Sequence, residues 1–478
     1  MNYSMIRYTL GSILIFEAVF FILPLITAAV YLEGAFFAFL ISALISLAIG
    51  IPLVIKKPKK RILYARDGFV IVSLSWITLS LFGALPFIFS GVTTSVVDAI
   101  FETVSGFTTT GASIFSAVEW LPRSIIMWRS FTHWIGGMGV LVFVMAFLPL
   151  GEGQNMHIMR AESPGPSVSK LVPRVKNTAI ILYIIYLAIT LIMLAALLIS
   201  GMDFFDSLNT ALATAGTGGF GFKNDSFASA TAAQQIIVTV FMLLFSINFN
   251  SYYLVLKAKF KDAFNSEVRA FLLIVFCAVL IVTLDIKDSY ESITDALRDA
   301  AFTVSSLIST TGFATANFDL WPELSKAVLV LVMFIGACAG STGGGFKVSR
   351  ILILVKGVVR EIRTLIHPRQ VKKITIDSHP VEHEVIRSVN AYIACYLVTF
   401  IASLLLISFD KYDLVTSFTA VTATINNIGP GLGDIGPVGN FAGFTPFSKI
   451  VLIFNMLAGR LELFPMLLLF SPTTWKKN

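Results

Sequence analysis

Four short stretches of this 478-residue chain carry residue types able to strip water from a small cation. They are Thr109-Thr110-Gly111, Thr217-Gly218-Gly219, Thr310-Thr311-Gly312 and Asn427-Ile428-Gly429. Glycine tolerates positive φ and close backbone approach. A segment that turns at such a glycine can aim successive carbonyl oxygens at one axis. Four segments together make rings of oxygens that replace a cation's hydration shell. The spacing therefore predicts ion sites at the carbonyls of Thr110, Gly111, Gly218, Gly219, Thr311, Gly312, Ile428 and Gly429. The hydroxyls of Thr109, Thr110, Thr217, Thr310 and Thr311 can add ligands at the inner edge.

The stretches belong to a longer repeat. Asp98-Ala-Ile-Phe101 leads to Gly111, and Asp299-Ala-Ala-Phe302 leads to Gly312, with Thr-Val-Ser and Thr-Thr-Gly matching at a shift of 201. Asp206 stands thirteen residues before Gly219, the same offset as the other two. The fourth stretch is the most divergent. Each glycine follows a helix-like run too short to cross a bilayer, which reads as a re-entrant element. Asp98, Asp206 and Asp299 are expected as N-caps of those half-helices. Their partly negative C-terminal ends would then point at the bilayer centre.

Composition supplies the setting. Only 13% of residues are charged and 56% are hydrophobic, against roughly 25% charged in a soluble domain. Mean hydropathy is +0.84. A soluble fold, a disordered chain and a disulfide scaffold are excluded; Cys277, Cys338 and Cys395 all lie in apolar runs. Ten spans are predicted: 10–32, 35–55, 68–89, 125–147, 180–200, 236–256, 270–284, 327–355, 389–409 and 450–470. The expected fold is an all-α polytopic membrane protein. Two leading transmembrane helices (1–67) precede four helix–pore-loop–helix repeats (68–176, 177–268, 269–387 with a broken inner helix, and 388–478) around a pseudo-fourfold pore. With an even number of spans both termini share a side, and that side holds 26 of the 35 basic residues. It is cytoplasmic by the positive-inside rule.

Other residues read as accessories to an ion path. Gly340-Ser341-Thr342-Gly343-Gly344-Gly345 interrupts the span at 327–355. Such a run either packs helices closely or breaks the helix in mid-membrane. Lys347, at its inner end, anchors the loop or snorkels. Arg460 lies inside an apolar span, where a charge must face a cavity or a partner. A positive plug in the cation path is the expected role. A structural tie to Glu462 or to carbonyls is the alternative, although Glu462, two residues on, faces elsewhere on a helix. Glu17 is expected to pack or snorkel. The first and third stretches lack the second glycine of a Gly-Tyr-Gly channel filter, with Ser113 and Ala314 in its place, so measurable sodium leak is expected. Gly136-Gly137-Met138-Gly139 has no strand before it, and His383-Glu384 lacks a second zinc histidine. No Cys/His cluster, serine nucleophile or convergent catalytic set appears, so no enzyme is expected.

Longer motifs give a resemblance. Trp128-Arg129-Ser-Phe-Thr-His133-Trp134-Ile-Gly136-Gly137-Met-Gly139 follows the first filter stretch. Met159-Arg160-Ala-Glu162-Ser-Pro164-Gly165-Pro166, Gly340-Ser341-Thr342-Gly343-Gly344-Gly345-Phe-Lys347 and Gly459-Arg460-Leu-Glu462-Leu-Phe464 follow in order. Together they resemble the Trk/Ktr/HKT superfamily of potassium transporters, over essentially the whole chain. The two leading spans favour its Trk-type pore subunits. The resemblance implies a channel-like potassium uptake subunit, passing K+ and Rb+ with some Na+. It makes Gly340–Gly345, with Lys347 and Arg460, a gate below the filter. It implies a homodimer in a bacterial or archaeal inner membrane, among lipid. It also implies a cytosolic RCK-type, TrkA-like regulatory subunit that binds NAD or ATP/ADP; no cofactor is expected on this chain beyond the potassium ion.

A Na+- or H+-coupled secondary transporter of another solute is the alternative. Such folds show inverted halves and intramembrane acids, whereas this sequence shows four parallel units and no expected buried Asp. The net charge of +7 is a topology signal by the same reasoning, so no nucleic-acid partner is expected. It also hides an acidic outer side, expected to concentrate cations at the pore mouth.

Overall fold

A computed structural model describes residues 1–58, 64–139, 175–368, 373–377 and 379–476. The leading hairpin comprises α1 (Tyr3–Phe20), α2 (Ile22–Val30) and α3 (Ala35–Ile55). A β-carbon on Gly11 would stand 2.9 Å from the Gly50 carbonyl, and one on Gly50 3.0 Å from the Gly11 carbonyl. Without a hydrophobic drive between helices in lipid, such small-residue crossings supply the packing.

The same order of elements then recurs four times. First come α4 (Ala65–Gly83), α5 (Leu85–Phe89), the pore helix α6 (Val96–Phe107) and α7 (Arg123–Gly137). Next are α8 (Val175–Ile199), pore helix α9 (Phe204–Ala215), α10 (Ala232–Ser246), α11 (Phe249–Leu256) and α12 (Phe260–Ala263). The third set is α13 (Ser266–Ile286), pore helix α14 (Ile293–Ile308), α15 (Glu323–Ile335), α16 (Val348–Ile366) and the hairpin β1 (Thr375–Ile376) and β2 (His379–Pro380). The last is α17 (His383–Ile407), pore helix α18 (Leu414–Ile425), α19 (Pro446–Arg460), α20 (Phe464–Phe470) and α21 (Pro472–Trp475).

Among the described residues six helices are long and apolar enough to cross a membrane, or seven with α10 and α11 counted as one bent span. The expected ten differ because the helix after each pore loop is short. α7, α10 and α19 have 15 residues each and α15 has 13. The α10–α11 pair bends by 91°, α15 stops at Gly336 with φ 71°, and α19 stops before Glu462 and Leu463, both at positive φ. The sequence shows a break only where glycines cluster, in the third unit. Residues 140–174, which include the end of the span at 125–147 and the motif from Met159 to Pro166, lie outside the described residues.

The caps also differ from expectation. Ser95, Asp203, Ser292 and Asp413 are the N-caps of the four pore helices, each accepting a first-turn N–H. Asp98 and Asp206 sit one turn in, and Asp299 lies within α14. The N-caps of the first three pore helices lie three or more residues before the aspartate that the repeat singles out. Acidic side chains also cap three of the four helices that follow the pore loops. Glu33 accepts the N–H groups of Arg123 at 2.6 Å and Ser124 at 3.0 Å. Asp285 accepts that of Ser325 at 3.0 Å, and Asp410 that of Thr445 at 2.8 Å. An acid at a helix N-terminus is favoured by the helix dipole.

Candidate ion path

All four pore helices end in one way. The N–H of Thr110 bonds the Ser105 carbonyl at 2.9 Å and that of Thr109 the Gly106 carbonyl at 3.1 Å. The same pair of bonds recurs from Gly218 and Thr217 to Ala213 and Thr214, and from Thr311 and Thr310 to Ser306 and Leu307. Ile428 and Asn427 repeat it with Ala423 and Thr424. This is a Schellman ending, which needs one left-handed residue, usually glycine. Here that residue is Thr109 (φ 56°), Thr217 (54°), Thr310 (60°) or Asn427 (55°). A β-branched residue in this region costs roughly 1–3 kcal/mol and persists where the surroundings over-determine it. Two residues later each strand turns again, at Gly111 (φ 78°), Gly219 (77°), Gly312 (90°) and Gly429 (99°). The fourfold repeat is thus present in the backbone, including its divergent fourth member.

The glycines show how the strands close. A β-carbon on Gly111 would collide with the Gly218 carbonyl, one on Gly219 with the Thr311 carbonyl, and one on Gly312 with the Ile428 carbonyl. On Gly429 it would meet the Thr110 carbonyl at 2.8 Å. Each contact falls on the residue before the next strand's glycine, and the fourth returns to the first. The carbonyls of Thr110, Gly218, Thr311 and Ile428 therefore ring one axis. All four glycines line one cavity of about 120 Å³. It is also lined by Arg129 and Lys223, and by no carboxylate among the described residues.

The expected hydroxyl ligands are mostly engaged with protein. The Thr110 hydroxyl pairs with Thr108 at 2.8 Å and accepts the Asn427 amide at 2.9 Å. Thr217 donates to the Gly216 carbonyl at 2.6 Å, and the Thr311 hydroxyl pairs with Ser309 at 2.7 Å. Thr310 accepts the Gly344 N–H at 2.6 Å. Of the five, Thr109 alone keeps a buried hydroxyl with no partner.

Side chains behind the strands brace them. His133 is fully buried, with Nδ1 2.8 Å from the Gly106 carbonyl. Its Nε2 accepts the Phe220 N–H at 3.2 Å, so the ring proton is on Nδ1. Glu102 and Arg129 form a buried ion pair at 2.8 Å. Glu102 accepts the Ile114 N–H at 2.9 Å, and Arg129 donates to Gly221 O and Ser113 Oγ, each at 3.2 Å. Lys449 and Asp98, at 2.6 Å, join the last unit to the first where no peptide bond does. The buried Asp67 and Asp299 depart from the expectation of no buried Asp, and Glu102 is buried as well. Asp299 accepts the Thr315 hydroxyl at 3.0 Å. Glu17 is fully buried rather than snorkelling. It packs against Gly83, and its oxygens lack hydrogen-bond partners.

The glycine-rich loop lies under this filter. The non-helical stretch runs from Gly336 to Lys347. Gly344 bonds Thr310, and the Gly345 N–H bonds the Asn426 carbonyl at 3.0 Å. Cys338 and Thr342 donate to the Ser246 and Phe245 carbonyls at 3.1 and 3.3 Å. Those carbonyls are freed by the bend after α10. Gly340 returns the contact by accepting the Phe249 N–H at 3.0 Å. Non-helical backbone at membrane depth must be satisfied within protein, and here the breaks of two units satisfy each other. Ser341 donates to the Cys338 carbonyl at 2.6 Å. A β-carbon on Gly343 would meet the Ser309 carbonyl at 2.8 Å. Lys347 is buried and donates to the Gly343 carbonyl, so it anchors the loop. Arg460 donates to Thr342 O at 2.8 Å, Gly136 O at 2.6 Å and Gly137 O at 2.7 Å. It ties the loop to the end of α7, whereas Glu462 pairs with Arg350 at 2.5 Å. Sequence reasoning passed over Glu267, which bonds both ends of this loop, and over His133 as a brace. The Glu-Val pairs at Glu267-Val268 and Glu384-Val385, each opening a long helix, could have pointed to the first.

A single chain that folds four helix–pore-loop–helix units into one ring of carbonyls is a pore-loop membrane protein. The chain belongs to the TrkH family, described as cation transport proteins, whose family model matches residues 35–477. It is 37% identical over 487 residues to the Trk system potassium uptake protein TrkH of Escherichia coli K12, covering all of both chains. Against TrkH of Halomonas elongata the identity is 34% over 486 residues, again with full coverage. The crystal structure of the potassium transporter TrkH from Vibrio parahaemolyticus matches with a TM-score of 0.89 at 34% identity, covering both chains completely. Like these relatives, the chain is a multi-pass membrane transport protein.

Proposed function

We propose that this chain is the pore subunit of a potassium uptake system. Dehydrated K+ would bind at the carbonyls of Thr110, Gly111, Gly218, Gly219, Thr311, Gly312, Ile428 and Gly429. The observation that carries the reading is the cyclic contact of the four glycines with the next strand's carbonyl, returning from Gly429 to Thr110. Such a ring replaces a hydration shell. Within this reading residues 1–67 are the leading helices, and 68–176, 177–268, 269–387 and 388–478 are the four pore units. The loop Gly340–Gly345, with Lys347 and Arg460, is the gate, because it sits against Thr310 and Asn426 beneath the filter.

The naming of the relatives as members of a Trk system supports a multi-component assembly. The form proposed is a homodimer with a cytosolic RCK-type, TrkA-like subunit that carries the nucleotide. The clustering of basic residues supports an inner-membrane orientation with both termini cytoplasmic. The test is ⁸⁶Rb⁺ uptake into proteoliposomes holding the purified chain, with Ba²⁺ and K+ as competitors. Uptake above protein-free vesicles, reduced by both competitors and exceeding ²²Na⁺ uptake, is the expected result. Equal Na+ and Rb+ uptake, or none without an imposed Na+ or H+ gradient, would overturn the reading.

A further inference from the structure

Glu267 opens α13 and is buried, with 8% of its surface exposed. Its Oε1 accepts the Ala339 N–H at 2.7 Å and the Ser349 N–H at 3.1 Å. These two donors flank the loop Gly340–Lys347 on its two sides. One oxygen therefore closes the base of the loop, and the loop cannot leave the filter as a unit without releasing it. The preceding residue connects to the surface. Asp377, partly exposed, accepts the Ser266 N–H at 2.8 Å and the Ser266 hydroxyl at 2.6 Å. Asp377 lies in the turn between β1 and β2. That hairpin is also tied to α16 through Lys356 Nζ and the Thr375 carbonyl at 2.7 Å. α16 is the helix that follows the loop.

We infer that Glu267 is a positioning residue that latches the intramembrane loop shut, and that Asp377 couples the latch to the β1–β2 hairpin at the protein surface. The inference deepens the proposed function and rests on its reading of the loop as the gate. A force on the hairpin reaches the loop through two adjacent residues, Ser266 and Glu267, without passing through the filter. A macromolecule that binds the hairpin can then move the gate, because binding that favours one arrangement of a two-state element shifts its population.

The loop carries its own reporter, the fully buried Cys338. The test uses the full chain in liposomes with Cys277 and Cys395 replaced by serine. The rate of Cys338 modification by a small charged methanethiosulfonate is measured beside ⁸⁶Rb⁺ uptake. Glu267→Ala is expected to raise the modification rate at least about tenfold, the scale set by losing two buried hydrogen bonds to a carboxylate. Glu267→Gln keeps an acceptor oxygen and is expected to stay near the parent rate, which a mere loss of folding would not reproduce. Asp377→Ala is expected to raise the rate by a smaller factor, about threefold, because its two bonds to Ser266 are exposed to solvent. Parent rates in both alanine variants would overturn the latch. If Glu267→Ala does not fold, a parent rate in Asp377→Ala overturns it alone. Faster Cys338 modification with unchanged Rb+ uptake supports the latch and overturns the loop's reading as a gate.

Discussion

His133 Nε2 accepts the backbone N–H of Phe220, the residue that follows the filter glycine Gly219, at 3.2 Å. Through Nδ1 the same ring holds the Gly106 carbonyl in the first pore helix. It therefore fixes the second strand to the first unit, with Phe220 packed on it at 4.2 Å between ring centroids. Alanine at 133 removes both bonds and leaves the buried Phe220 N–H unpaired, at about 1–3 kcal/mol, while the Gly106 carbonyl keeps the Thr109 N–H. His133→Ala is expected to lower the Rb+/Na+ uptake ratio several-fold in proteoliposomes. An unchanged ratio with normal protein yield would show that the second strand holds its shape without the ring.

The filter glycines are expected to differ in tolerance. A methyl group on Gly111, Gly219 or Gly312 drives into the next strand's carbonyl, whereas on Gly429 the nearest atom is the Thr110 carbonyl at 2.8 Å. All four have positive φ, so each alanine also carries backbone strain, roughly 1 kcal/mol. Gly219→Ala and Gly312→Ala are expected to abolish Rb+ uptake, and Gly429→Ala to retain part of it. The comparison is made at matched protein density. Equal loss at all four positions would contradict the asymmetry of the fourth strand.

The glycines were legible because their constraint is local. A positive φ at one residue admits few residue types, and the spacing from Asp to Gly repeats. The left-handed residues two positions earlier were not legible, because Thr is an unlikely choice there and its partners are remote. Thr310 is held by Gly344, and Asn427 by Thr110 and Met456. The break in the third inner helix was visible as a glycine cluster. The 91° bend after Ser246 was not, since Ile247 and Asn248 carry no breaker signal. Its freed carbonyls are satisfied by Cys338 and Thr342, about ninety residues away in sequence. The N-caps were displaced for a simpler reason. The repeat marks an aspartate in three of the four units, but Ser95, Asp203 and Ser292 do the capping.

The Glu102–Arg129 pair separates stability from selectivity. Both side chains are buried, at 0% and 2% exposure. Removing one partner strands the other charge, at about 3–5 kcal/mol, while replacing both with apolar groups is often near neutral. Glu102→Gln is therefore expected to lower thermal stability in detergent sharply. Glu102→Met with Arg129→Leu is expected to recover most of it. The double variant still lacks the guanidinium bonds to Gly221 and Ser113, so its Rb+/Na+ ratio should remain low. Recovery of the ratio together with stability would show that Arg129 braces nothing in the filter.

Arg460 distinguishes a barrier from a strut. Its guanidinium donates to Thr342 in the loop and to Gly136 and Gly137 at the end of α7, so it spans the space beneath the filter. Planar donors in a fork suit several carbonyls at once. A shorter neutral amide cannot reach all three and carries no charge to repel a cation. Arg460→Gln should therefore free the loop and remove the repulsion together. Rb+ uptake by the chain without any partner is expected to rise roughly tenfold, the scale of one charge-assisted hydrogen bond lost from the closed state. Arg460→Lys keeps the charge but not the fork, and should raise uptake less. If both variants fold and both lose uptake, Arg460 supports the conducting arrangement and does not close it.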